Sequence, residues 1–250
     1  MPFSIDFLDD GRVLEWERTV DGAVVTEHDD YTPRFYVGSR DPDADVDLTA
    51  LQSVYDQHPN VVTTDVLERR TGFRQDDESV LAVDVEHIDR VTPLARQARQ
   101  HTAYPIGDLA CFNVDFSREF RYCLENGIDP TPAGDLSKLR LSVPITETSG
   151  EMYTELSVAG NTVTGSPTEI LTAVEAAVDD CNPDILVCST SKIIPTLHEM
   201  ATSAGIEDFT LSRWSDIDYQ QLASRSTYSS YGRVGHSPAR YNVPGRAIID

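Results

Sequence analysis

Lysine is almost missing from this sequence. Lys138 and Lys192 are the only two, and every other basic residue is an arginine. Acidic residues outnumber basic ones 42 to 20, which gives a net charge of −22 and a pI near 4.4. Whole-chain charge therefore gives no support to a broad basic face for nucleic acid, and any phosphate contact has to come from a local arginine cluster. The same imbalance is suited to multimolar salt. At about 1 M salt the screening length is roughly 3 Å, so surface carboxylates stop repelling one another. In dilute buffer they strain the compact state. The composition predicts a cytoplasmic protein of a salt-adapted organism.

Other absences narrow the function classes. Cys111, Cys123, Cys181 and Cys188 make no C-x-x-C pair, so a zinc knuckle is not expected, and scattered thiols suit a reduced compartment. The six histidines show neither H-x-x-x-H nor H-E-x-x-H spacing. There is no phosphate-cradling G-x-x-x-x-G-K-[ST] loop, no G-x-G-x-x-G, and no nucleophile elbow in the serine-rich stretch 224–230. Residues 1–6 carry no basic or apolar leader, and no apolar run approaches membrane-spanning length, so no membrane partner is expected.

What is present is regular patterning. Alternation at Phe3, Ile5 and Phe7 predicts a strand, and strands over 13–20 and 23–27 flank an Asp21-Gly22 turn. Further strands are predicted at 34–38, 61–67 and 80–85, with a helix over 48–58. Thr92-Pro93 predicts the start of a helix over 94–101. A helix over 116–126 is expected to carry Phe116, Phe120, Cys123 and Leu124 on one stripe and to stop at Gly127. The Pro-, Gly- and Asp-rich stretch 129–137 reads as a domain boundary, giving domains 1–132 and 133–250. Beyond it come strands over 139–145 and 152–158. A helix opens on the capping box Ser166-Pro167-Thr168-Glu169, and an apolar strand over 185–188 precedes a second helix ending at Gly205. Residues 228–245 read as an extended loop and 246–250 as a strand that stops at the chain end.

Four stretches carry a resemblance. They are Tyr31-Thr32-Pro33-Arg34-Phe35-Tyr36-Val37, the run 94–129, the run 182–205, and Gly245-Arg246-Ala247-Ile248-Ile249-Asp250. In this order they resemble the N-terminal and exonuclease-like region of archaeal family-B DNA polymerases, over nearly the whole chain. The resemblance implies an α+β fold, with a β-rich N-terminal domain followed by a ribonuclease-H-like mixed sheet with flanking helices. It also implies DNA, template or single-stranded, as a partner, and a polymerase domain in cis or in trans. No cofactor is implied within this chain, Mg belonging to palm carboxylates further along a full-length polymerase.

The departures from the family's pattern matter more than the matches. Where its first exonuclease motif has Asp-x-Glu, this chain has Ile145 and Glu147. The polar positions of the second motif fall on Thr190 and Pro195, and no Asn or Asp lies between Asp184 and Asp208. The third motif would lie past Asp250, so the exonuclease-like domain is expected to be truncated. Two-metal hydrolysis needs several converging carboxylates, so the chain resembles the divergent archaeal group with a degenerate proofreading site. It is expected to be a non-catalytic, DNA-associated module, either a fragment of a longer polymerase or a stand-alone product. The alternatives are a residual metal-dependent 3′→5′ exonuclease and a structural remnant without DNA affinity.

Two groups are candidate DNA contacts. Arg233, Arg240, Tyr241 and Arg246, with Tyr228 and Tyr231, interleave aromatics and arginine in the tail, which suits base stacking and phosphate contact. The alternative is a loop that docks on another domain. By resemblance, Phe7, Pro33 and Val91 stand where the family lines a uracil-reading base pocket, the alternative there being core packing.

Overall fold

Period-two alternation near the N-terminus builds three strands, β1 (Pro2–Phe7), β2 (Val13–Thr19) and β3 (Gly22–His28), paired in the order β1-β2-β3. The computed structural model describes residues 1–41, 46–73, 76–131, 134–144, 152–230 and 233–250, with backbone alone at 228–230, 233, 234 and 236. Two compact units emerge. One comprises Met1–Asp6, Glu15–Thr26 and Thr131–Asp250; the other comprises Phe7–Leu14 and Glu27–Pro130. Sequence alone places a boundary at 132, and the structure divides the chain between Pro130 and Thr131. It also assigns residues 1–6 and 15–26 to the same unit as the C-terminal half. Linear reading misses this because the link runs through side chains, Asp6 accepting hydrogen bonds from Asn242 and Gly245 far along the chain.

The unit centred on 27–130 continues with β4 (Arg34–Ser39), α1 (Thr49–Tyr55), β5 (Val61–Arg70) and β6 (Asp77–Val85). A 3-10 turn (Ile88–Arg90) then leads into α2 (Val91–Arg99), β7 (Leu109–Phe112) and α3 (Arg118–Asn126). Its sheet runs β5-β6-β4-β7, antiparallel throughout. Phe35, Val37, Leu81 and Val83 are fully buried, with Leu51, Tyr55 and Leu94 of α1 and α2 also in the core. The Tyr55 hydroxyl donates to Leu94 O at 2.6 Å, tying the two helices together.

Two local expectations are modified here. The turn before α2 is capped by the His87 side chain, which accepts from Asp89 N, while Thr92 and Pro93 lie inside the helix. On α3 the buried residues are Arg121, Tyr122 and Cys123. Phe116, Phe120 and Leu124 are 42, 43 and 51% exposed, so the expected stripe faces outward except at Cys123. The reason is polar and aromatic. Tyr122 packs on Tyr31 with ring centroids 4.9 Å apart. Buried Arg121 donates to Arg34 O at 2.9 Å, and Glu125 accepts from Tyr31 Oη at 2.8 Å and Arg34 N at 3.2 Å. These bonds satisfy groups that would be costly to bury alone.

The other unit adds β8 (Lys138–Ser142), β9 (Glu155–Val158), β10 (Asn161–Thr164), α4 (Pro167–Cys181), β11 (Ile185–Cys188) and α5 (Ile193–Ala204). Then come β12 (Gln220–Ala223), β13 (Ser226–Ser230), β14 (Arg233–Ser237), β15 (Arg240–Asn242) and β16 (Ala247–Ile249). Five strands form a mixed sheet, β10-β9-β8-β11-β16, in which β8, β11 and β16 are parallel and β9 and β10 antiparallel. The architecture is mixed α+β, as the sequence predicts. The capping box forms, with Ser166 Oγ accepting from Glu169 N and Glu169 accepting from Ser166 N. Leu139, Leu141, Leu186, Ile170, Leu197 and Met200 make the core under α4 and α5. Each fully buried aliphatic side chain contributes about 1.5–3 kcal/mol. The tail is not a loop: β13 pairs with β14 and β12 with β15.

Asp6 anchors this unit to its own C-terminal segment. Its carboxylate accepts from Trp16 Nε1 at 2.8 Å, Asn242 Nδ2 at 2.8 Å and Gly245 N at 2.7 Å.

Candidate nucleic-acid interface

The ends of β8 and β11 are where the sequence places the degenerate metal positions. Val143 N donates to Ser189 Oγ at 3.1 Å, and Ser189 N donates to Leu141 O at 3.0 Å. Ser191 Oγ donates to Ala239 O at 2.9 Å. Thr190 sits in the turn before α5, and Pro195 is buried in the first turn of that helix. Burial, with the charge of Asp250, pushes the Cys188 thiol up to about 12, so it stays protonated and inert. Ile145 and Glu147 lie outside the described residues. The described strand ends thus offer hydroxyls, apolar groups and one acidic side chain, Asp250, level with Cys188 on the neighbouring strand. Among the described residues no cluster of three His, Cys, Asp or Glu could hold a metal.

Asp184, at the opposite end of β11, is 0% exposed. It sits in the bend before that strand with its carboxylate engaged by protein donors. Oδ2 accepts from Ser137 N and Ser137 Oγ, each at 2.9 Å, and Oδ1 accepts from Arg213 at 3.0 Å and Arg18 at 3.1 Å. Burial alone would raise its pKa, but the Ser137 and Arg213 donors outweigh it and hold the carboxyl below the usual range. Arg213 also reaches Asn182 O at 2.7 Å and Gly245 O at 2.8 Å.

Arg246 belongs to this same scaffold. It is 4% exposed, and its guanidinium donates to Leu211 O at 2.6 Å, to Asn182 Oδ1 at 3.2 Å and to Pro183 O. Burial and the neighbouring charge of Arg213 bring it down to about 10. The expected phosphate contact is replaced by a bracing role, because the side chain faces inward from the edge of the sheet.

The remaining tail candidates part company. Arg240 is exposed on β15, opposite Ala223, and Tyr241 is half-buried opposite Gln221. The Tyr241 ring lies 6.0 Å from Tyr219, which in turn lies 4.9 Å from the His198 imidazole. The Arg233 side chain and Tyr231 lie outside the described residues. Phe7 and Val91 are 7 and 2% exposed, and Pro33 is buried. Phe7 is 6.1 Å from both Tyr31 and Tyr122, and Pro33 O accepts from Val85 N at 2.9 Å. These three are core residues here and present no open face to a base.

Sequence reading passes over one feature of this unit. A cavity of about 930 Å³ beside α5 is lined by Met152, His198, Phe209, Asp218 and Tyr219, among others. Burial lowers the His198 pKa, and Nε2 has no hydrogen-bond partner among the described residues. A lone helical histidine gives no spacing signal that could reveal this.

No protein-family model matches the chain, and no curated protein matches it. Solved structures do. The chain is similar to the family B DNA polymerase from the hyperthermophilic archaeon Pyrobaculum calidifontis, with a TM-score of 0.66 and 17% identity. That similarity covers 99% of this chain and 35% of the polymerase. The likeness is one of fold, and the chain spans about a third of the neighbour's length.

Proposed function

We propose that this chain is a DNA-associated, non-catalytic portion of a family-B-type DNA polymerase from a salt-adapted archaeon, acting in the cytoplasm with its proofreading site inactivated. The observation that carries the reading is the likeness of fold across 99% of the chain to an archaeal polymerase. Because one fold can host many functions, the reading draws on the site as well. The five-stranded order β10-β9-β8-β11-β16, with its three parallel strands, fits a ribonuclease-H-like domain. At the strand ends where such a domain would gather metal ligands, the described residues are Ser189, Thr190, Ser191, buried Pro195 and a single acidic side chain, Asp250. Such a module would position template or single-stranded DNA beside a polymerase domain, in cis or in trans.

The test is nucleotide release from end-labelled single-stranded DNA with Mg²⁺ or Mn²⁺ in about 2 M KCl, where surface charge is screened. The expected result is release no greater than without protein. Metal-dependent release that disappears in Glu147→Ala would overturn the inactivated-site reading and restore an exonuclease.

A further inference from the structure

The segment 111–116, just before α3, lines a groove in the unit centred on residues 27–130. The groove encloses about 470 Å³, and its walls include Tyr36, Arg69, Arg70, Phe112 and Phe116. This volume is within the range of ligand sites, roughly 300–1,000 Å³. Tyr36 of β4 and Phe112 of β7 are register partners, so their side chains leave the same face of the sheet side by side. Phe116, 42% exposed, stands at the groove and meets Phe120 edge-on, with centroids 5.2 Å apart. The result is a run of aromatic rings from the sheet onto the helix.

The same lining carries charge. Arg69 and Arg70 close β5, both exposed, and neither is in an ion pair among the described residues. Arg69 Nη1 donates to Glu68 O at 2.8 Å. The facing acids are Asp115 in the lining and, across the ladder on β6, Glu78 opposite Arg69 and Asp77 opposite Arg70. The lining holds two cations and one anion, against a chain-wide excess of acids.

We propose that this groove binds single-stranded nucleic acid, stacking bases on the Phe112–Phe116 aromatic run and holding phosphate at Arg69 and Arg70. The proposal rests on the DNA-associated reading above and names a site for it. An exposed ring at Phe116 and half-buried rings at Tyr36 and Phe112, beside guanidinium groups in no ion pair among the described residues, suit bases and phosphates together. In strong salt the arginine contribution is screened, and stacking carries most of the affinity.

The test is fluorescence anisotropy of a labelled oligothymidylate titrated with the full chain at low and high KCl. Phe116→Ala should weaken binding on the order of tenfold at both salts, and Phe116→Trp should retain it. Arg69→Ala combined with Arg70→Ala should weaken binding mainly at low KCl and flatten the salt slope by about 1–2. All these side chains are exposed, and unchanged circular dichroism would confirm that the variants fold. If the groove variants bind like the unaltered chain while Arg240→Ala weakens binding, the groove assignment is wrong and DNA association stands. If the unaltered chain shows no binding at any salt, both readings fall.

Discussion

Asp184 shows how a single carboxylate can hold a unit together without taking part in chemistry. It is fully enclosed, and its partners come from positions 18, 137 and 213. Replacing it with alanine leaves the Arg213 guanidinium, 7% exposed, without its counter-ion. Breaking a buried pair from one side costs about 3–5 kcal/mol. Urea unfolding of Asp184→Ala in concentrated KCl should show a loss of that size, part of it regained when Arg213→Met is added. The pH dependence follows from the lowered pKa. The ionised partner stabilises the fold above the unfolded carboxylate value, about 3.9. That contribution is lost as pH falls from there through the folded value. Acid unfolding should therefore begin below about pH 4, and Asp184→Asn should blunt it.

At the level of turns and helices, two glycines in left-handed conformation separate backbone strain from crowding. Gly205, φ 69°, ends α5 with open space around the missing Cβ. Gly245, φ 78°, lies where a Cβ would meet Trp16 Cζ2 at 2.9 Å and Arg213 Cβ at 2.8 Å. Gly205→Ala should cost about 1–2 kcal/mol of strain alone. Gly245→Ala should cost about 2–5 kcal/mol, because crowding adds to the strain. Equilibrium unfolding of the two variants side by side checks the difference. The same scale shows what sequence reveals. The Ser166 to Glu169 box and the Gly205 stop were legible because caps are local chemistry. The buried side of α3 was not, because Tyr31 and Arg34, distant in sequence, decide it. Arg246 looked like a tail arginine because burial leaves no mark on a single residue type.

The whole molecule is governed by its charge of −22. Self-repulsion is strong in dilute buffer and screened in concentrated salt. The melting temperature should rise with KCl; relief of about 2–3 kcal/mol would read as roughly 4–12 °C. A melting temperature independent of KCl would remove the salt-adapted reading. The order of the main elements was legible from periodicity, and so was the scarcity of carboxylates around the junction of β11 and α5. The groove was not, since β4, β5 and β7 meet only in the folded sheet. The bonds of Asp6 to Asn242 and Gly245 span 236 and 239 residues. On a ribosome the first strand of the chain is made early, and this carboxylate must wait for 236 further residues before the first of these partners exists. Until then the unit it belongs to stays unclosed, while residues 27–130 already hold every strand of their own sheet.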